Sequence, residues 1–165
     1  MKYYGAYGSN LNKKQMKNRC PLSEPITRFC LLDWRLVFKG VADIERKKGS
    51  RVYLGLYSIT SYCENALDYY EDFPELYKKK YMSQVIQGKK IEFMLYTMNK
   101  AFNYSAPTRK YFKAIKEGYG NWRLDKNILF KSGLHSIENN TGNGYKSKNW
   151  KDKEFINISC LNDSK

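Results

Sequence analysis

The chain has a single histidine, His135, among its 165 residues. One imidazole argues against a zinc site and against a Ser-His or Cys-His nucleophile. The four cysteines, Cys20, Cys30, Cys63 and Cys160, show no CxxC spacing, and scattered thiols of this kind do not make a metal site. There is no signal-peptide pattern and no long apolar run, so no membrane attachment is expected. A reduced, cytoplasmic protein is the simplest expectation. Arginine is scarce beside lysine. The formal net charge of +14 comes from 30 Lys+Arg against 16 Asp+Glu, spread in pairs and triplets such as Lys78-Lys79-Lys80. A lysine-heavy balance suits solvated faces better than base readout, where Arg is favoured. Nucleic-acid binding is therefore the less favoured reading, since net charge speaks to nonspecific association rather than to fold.

What is present fits one domain with a real core. Met1 to Ala6 reads as a first strand, and Leu11 to Arg19 reads as a helix ending before Pro21. Strand patterns follow at Ile26 to Leu32, at Arg35 to Lys39 and at Arg51 to Ile59, with Gly40 to Ser50 polar and loop-like. Gly55 inside the last of these suggests a bend or a close backbone approach. Ser61-Tyr62-Cys63-Glu64 is a capping-box pattern opening a helix of about three turns, with Cys63, Leu67 and Tyr70 at core-facing spacing. Strands around Lys79 to Ile86 and Ile91 to Met98 flank Gly88, a hairpin signal. Thr108 reads as the N-cap of a helix to about Tyr119, and Leu124 to Ile137 as a last helix. We place the domain at residues 1–137 and a basic, Asn- and Lys-rich tail, weakly ordered in expectation, at 138–165. Phe155 to Leu161 is the one apolar run in that tail. The fold class is α+β, and hairpin-connected strands of this number would curl readily toward a barrel.

Two stretches carry chemistry. Tyr7-Gly8-Ser9-Asn10-Leu11 sits at a strand-to-helix turn, where Gly8 opens backbone conformations closed to other residues. Ser9 and Asn10 are good N-caps there. A helix start presents free N–H groups and a positive dipole end, which together suit an anion. Gly-Ser-Asn is equally ordinary turn chemistry. In Leu67-Asp68-Tyr69-Tyr70-Glu71-Asp72, Glu71 falls where an amphipathic helix ends. Like charge from Asp72 would raise its pKa, and the nearby lysines would lower it. A carboxylate on a turn beside aromatics is a candidate general base, although acids at helix ends are also commonly solvated structural groups.

Together the two stretches resemble the gamma-glutamylcyclotransferase family, including its AIG2-like members. Tyr7-Gly8-Ser9-Asn10-Leu11 looks like the family's YGSN loop. Leu67-Asp68-Tyr69-Tyr70-Glu71 looks like its LDxxE segment, with Glu71 on the catalytic glutamate. Asn103-Tyr104-Ser105-Ala106-Pro107, followed by Tyr111, resembles the link from the last barrel strand into a C-terminal helix. The resemblance covers about residues 2 to 125. It implies a small mixed β-barrel with flanking helices and no cofactor or metal. The implied reaction converts a γ-glutamyl amide to 5-oxoproline and a free amine. Glu71 would be catalytic, and Tyr7, Gly8, Ser9, Asn10, Leu11, Tyr77 and Tyr104 would bind substrate. One departure is Asp72, where many relatives have Gly. The other reading is a non-catalytic binding protein on the same fold, for an acidic ligand or nucleic acid through its lysines.

Overall fold

The computed structural model describes residues 1–99 and 102–163; the last two positions of the tail, 164 and 165, lie outside the described residues. Strand β1 (Lys2–Ala6) runs into a 3-10 turn (Ser9–Leu11) and then helix α1 (Lys13–Arg19). Strands β2 (Glu24–Phe38) and β3 (Ala42–Ile59) form a long hairpin, followed by α2 (Ser61–Tyr70). Strands β4 (Tyr77–Ile86) and β5 (Lys89–Met98) form a second hairpin, followed by α3 (Arg109–Asn121), α4 (Lys126–Glu138) and a 3-10 turn at Ile158–Cys160. The five strands make one mixed sheet in the order β2-β3-β1-β5-β4. Short β1 lies at its centre, antiparallel to β3 and parallel to β5.

The α+β class stands, but the sheet does not close into a barrel. Its edge strands β2 and β4 share no ladder. The register of β2 slips between Pro25 and Thr27 and again between Leu32 and Trp34, and proline has no N–H to give a neighbouring strand. Side chains bridge the edges instead. Gln84 donates from Nε2 to the Cys30 carbonyl at 2.9 Å, and Gln87 donates to Thr27 Oγ1 at 3.2 Å.

The polar stretch after Gly40 is strand rather than loop. The turn itself is short, with Gly40 at φ +84, and β3 starts at Ala42. Residues 47–50 bulge outward opposite Asp33, whose φ is +63. The bulge is tied by a bond from the Gly49 amide to Asp33 Oδ1 at 2.9 Å. The polarity of Lys47-Lys48-Gly49-Ser50 thus marks exposure on a paired strand. From Val52 onward β3 is covered on both faces. A Cβ on Gly55 would lie 2.5 Å from the Trp122 ring, which explains the glycine as a close approach.

Helix starts differ from expectation by a residue or two. Asn12 caps α1, accepting from the Gln15 amide, so Ser9 and Asn10 belong to the 3-10 turn before it. Thr60 caps α2, accepting from the Cys63 amide, while Glu64 pairs instead with Lys2 and Lys79. Helix α3 locks the 3-10 turn in place. Trp122 Nε1 donates to the Leu11 carbonyl at 2.8 Å, and Asn12 Nδ2 donates to the Ala114 carbonyl at 3.1 Å. Gly118 permits this crossing, since a Cβ there would meet the Asn12 nitrogen at 2.6 Å.

The tail is docked rather than loose. The Tyr145 amide donates to the Lys39 carbonyl at 2.8 Å, the Arg109 amide to Glu154 at 2.8 Å and the Ile156 amide to Pro107 at 3.0 Å. Ile156 is buried in the core. Phe155 makes only an isolated bridge to Thr108, and no strand forms from the apolar run around it. Residues 144–150 therefore form a strap that runs from the β2–β3 turn back to α2.

Candidate active site

The end of β1, the 3-10 turn and the end of α2 meet around a cavity of about 40 Å3. Tyr7, Gly8, Ser9, Asn10, Glu71 and Tyr77 all line it, so the two stretches separated in sequence share one site. Leu11 and Tyr104 do not join them. Leu11 is fully buried in the core, because α3 covers it. The Tyr104 hydroxyl donates to Glu45 Oε1 at 2.6 Å and accepts from Arg35 Nη2 at 3.3 Å, on another face of β2 and β3. The link from Asn103 to Pro107 leads the ring toward that ion pair.

Glu71 is the C-cap of α2, its amide bonded to the Leu67 carbonyl. The next residue, Asp72, takes φ +51, a left-handed position that favours glycine but tolerates aspartate. This explains how Asp fits a position where the resemblance leads one to expect Gly. The Glu71 carboxylate accepts from Asn10 Nδ2 at 3.2 Å. Burial lifts its pKa to about 7, and Arg19 opposes the rise. The expected contributors, Asp72 and the lysines, are not the cause. Lys79 is spent on Glu64 and Asp68, at 2.8 and 2.9 Å, and Lys78 and Lys80 are exposed.

The desolvating wall is tyrosine. Tyr4, Tyr70, Tyr96 and Tyr111 line the cavity with Tyr7 and Tyr77. Most of their hydroxyls are held by fixed partners. Tyr77 donates to the Ala42 carbonyl at 2.6 Å, Tyr111 accepts from the Ala42 amide at 2.9 Å, and Tyr7 donates to the Tyr96 carbonyl. Gly8 contributes space: its φ of −106 is an ordinary sign, but a Cβ would come within 3.3 Å of Ala42 and 3.5 Å of the Tyr111 hydroxyl. In the turn, the Leu11 and Asn12 amides are bonded to the Gly8 and Ser9 carbonyls. Ser9 and Asn10, ahead of them in the turn, line the cavity.

Sequence reasoning missed one side of the site altogether. Tyr145, Ser147, Asn149 and Trp150 of the strap line the cavity. Trp150 Nε1 donates to the Tyr70 hydroxyl at 2.8 Å, and its ring packs edge-on against Tyr111. The available signal was a tryptophan in an otherwise Asn- and Lys-rich tail. Among the described residues no group of three or more His, Cys, Asp or Glu is gathered as a metal site would need, and no helix is long and apolar enough to cross a membrane.

Comparison with known proteins identifies the family and the fold. The family model described as gamma-glutamyl cyclotransferase, AIG2-like, matches residues 4–124. A solved gamma-glutamyl cyclotransferase superposes with a TM-score of 0.71 at 25% identity, over 90% of this chain and 94% of that one. An uncharacterized human protein does so with a TM-score of 0.70 at 25% identity, over 89% and 94%. YkqA from Bacillus subtilis shares the fold with a TM-score of 0.69 at 20% identity, over 84% of this chain and 55% of that one. A search of curated proteins finds no significant match. With the family's glycine turn and its glutamate segment brought to one cavity, the chain belongs to the gamma-glutamyl cyclotransferase, AIG2-like family.

Proposed function

We propose that the protein is a cofactor-independent cyclotransferase that releases 5-oxoproline and a free amine or amino acid from a γ-glutamyl amide. The observation that carries this reading is the 3.2 Å contact joining Asn10 of the 3-10 turn to Glu71 inside one cavity. The substrate's own α-amine attacks its γ-carbonyl, forming a C–N bond and closing a five-membered ring. Both reactants lie in one molecule, so holding the γ-glutamyl chain folded supplies much of the acceleration. Glu71 takes the proton from the attacking nitrogen, then gives it to the departing nitrogen as the amide C–N bond breaks. A carboxyl with a pKa of about 7 is suited to both steps at neutral pH.

The Ser9 and Asn10 amides would hold the substrate carboxylate or the developing oxyanion. Tyr7 and Tyr77 shape the wall, with their hydroxyls tied to the backbone of β5 and β3. The four cysteines are unpaired, which supports a reducing, cytoplasmic setting. The test is 5-oxoproline release from a panel of γ-glutamyl dipeptides and γ-glutamyl amines. Release from any member supports the reading and begins to name the amine. No release by folded protein from the whole panel would overturn it in favour of a binding role.

A further inference from the structure

We propose that Arg19 is a positioning residue: its guanidinium fixes the orientation of the Asn10 amide and thereby the donor presented to Glu71, deepening the reading of Glu71 as the base. Arg19 stands in the last turn of α1, with its guanidinium carbon 3.6 Å from the centre of the Tyr70 ring. One arm of the fork, Nη1, donates to Asn10 Oδ1 at 2.7 Å, and the other, Nη2, donates to Gln15 Oε1 at 3.0 Å. Gln15 is one turn back on the same helix face. Tyr70 is itself held by Ser9 Oγ at 3.0 Å and by Trp150 Nε1 at 2.8 Å. The guanidinium is thus clamped on one flat side and at both ends.

An arginine has only donors, so the Asn10 atom facing it must be the oxygen. That choice settles the other end of the amide. Nδ2 faces inward and donates to Glu71 Oε1 at 3.2 Å and to the Tyr4 hydroxyl at 3.0 Å. Without Arg19 the ionised Glu71 still draws Nδ2, but once protonated it can donate to the oxygen of a flipped amide, so the orientation holds across the proton transfer only with Arg19 in place. Lysine cannot substitute fully: its ammonium lacks the rigid planar fork that meets Asn10 and Gln15 while lying flat on the Tyr70 ring.

Arg19 is also the charge that acts on Glu71. The other titratable groups facing the carboxyl are phenols. Tyr4 of β1, Tyr77 of β4, Tyr96 of β5 and Tyr111 of α3 are all pushed above the ordinary phenol range, chiefly by burial. Tyr7, Tyr70 and Tyr145, from the turn, α2 and the strap, are shifted the same way. These stay neutral across the working range, so Glu71 is the group that changes charge there.

The experiment compares wild type, Arg19→Gln and Arg19→Lys. Initial rates of 5-oxoproline release are measured against pH, and the Glu71 carboxyl is titrated by NMR in carbon-labelled protein, with its signal assigned by its loss in Glu71→Gln. In Arg19→Gln, kcat falls about tenfold or more with a smaller change in KM. The acid limb and the carboxyl titration both move up by about one pH unit, the low end of what a close opposite charge does. In Arg19→Lys the titration stays near wild type while kcat remains reduced. A titration unmoved in folded Arg19→Gln, or wild-type kcat in Arg19→Lys, would overturn the proposal. A merely structural arginine would lower the melting temperature and leave the limb in place, which also overturns it. If Arg19→Gln does not fold, the kcat of Arg19→Lys decides. If wild type releases no 5-oxoproline the assigned reaction falls by itself, and the Asn10 side-chain amide signals in nitrogen-labelled protein decide the proposal: a shift in both Arg19→Gln and Arg19→Lys supports the positioning role, and unchanged signals overturn it.

Discussion

Replacing Glu71 by glutamine should make the protein more stable, by an amount that grows from about pH 4.5 and is complete above about pH 7. The substitution keeps the shape and leaves an oxygen for Asn10 Nδ2 to bond, while removing a carboxylate that burial makes costly. The pKa of that carboxyl rises from an ordinary 4.5 to about 7. At about 1.4 kcal/mol for each tenfold change in proton affinity, the charged form costs the folded state at most about 3.5 kcal/mol. Glu71 keeps part of its surface open to the cavity, so about 2 kcal/mol is the expected value after screening. Below the unfolded value near 4.5 both states hold the proton and the difference vanishes. As pH rises toward 7 the unfolded chain gives up its proton first, and the folded wild type loses stability until both states are ionised. For a chain of this length the gain corresponds to a melting temperature about 4–8 °C higher above pH 8. Thermal unfolding of both proteins from pH 4.5 to 9 reads it directly. A Glu71→Gln protein no more stable than wild type at pH 8, or equally shifted at every pH, would refute burial as the cause.

Three further outcomes follow from the geometry. The rate of 5-oxoproline release, as kcat/KM, should climb tenfold per pH unit to a plateau beginning near 7, because the base works deprotonated; a limb near 4 to 5 would mean an ordinary carboxylate. Gly55→Ala forces a methyl to 2.5 Å from the Trp122 ring and should destabilise by about 2 kcal/mol, seen in urea unfolding. Tyr104→Phe should lose about 1–2 kcal/mol with its bond to Glu45 and leave 5-oxoproline release within about twofold of wild type; a large loss of activity would put Tyr104 back in the site.

Much of this was legible because it is local. The Tyr7 to Leu11 stretch and the helix ending at Glu71 are each contiguous, and their residue types suit a turn and a cap. The hairpin at Gly88 and the close approach at Gly55 are likewise carried by single residues. What failed depended on distant partners. Lys47 to Ser50 read as a loop because polarity reports exposure, which a bulged, paired strand shares. The tail read as loosely ordered because its composition is polar, yet a few backbone bonds and the side chains of Tyr145, Trp150 and Ile156 dock it. The source of the Glu71 perturbation was misplaced for the same reason. The adjacent Asp72 and lysines are visible in sequence, whereas the tyrosines that desolvate Glu71 arrive from β1, β4, β5 and α3. Leu11 and Tyr104 sit beside residues of the site along the chain, but their side chains point into the core and toward Arg35 and Glu45.

The central claim is that Glu71 moves the proton in a ring closure. The direct measurement is kcat for 5-oxoproline release by wild type and Glu71→Gln in parallel, on whichever γ-glutamyl amide of the panel wild type turns over. A fall of about 10²–10⁴-fold in a variant that is folded and still binds substrate is the expected result. Turnover by Glu71→Gln at the wild-type rate would contradict it.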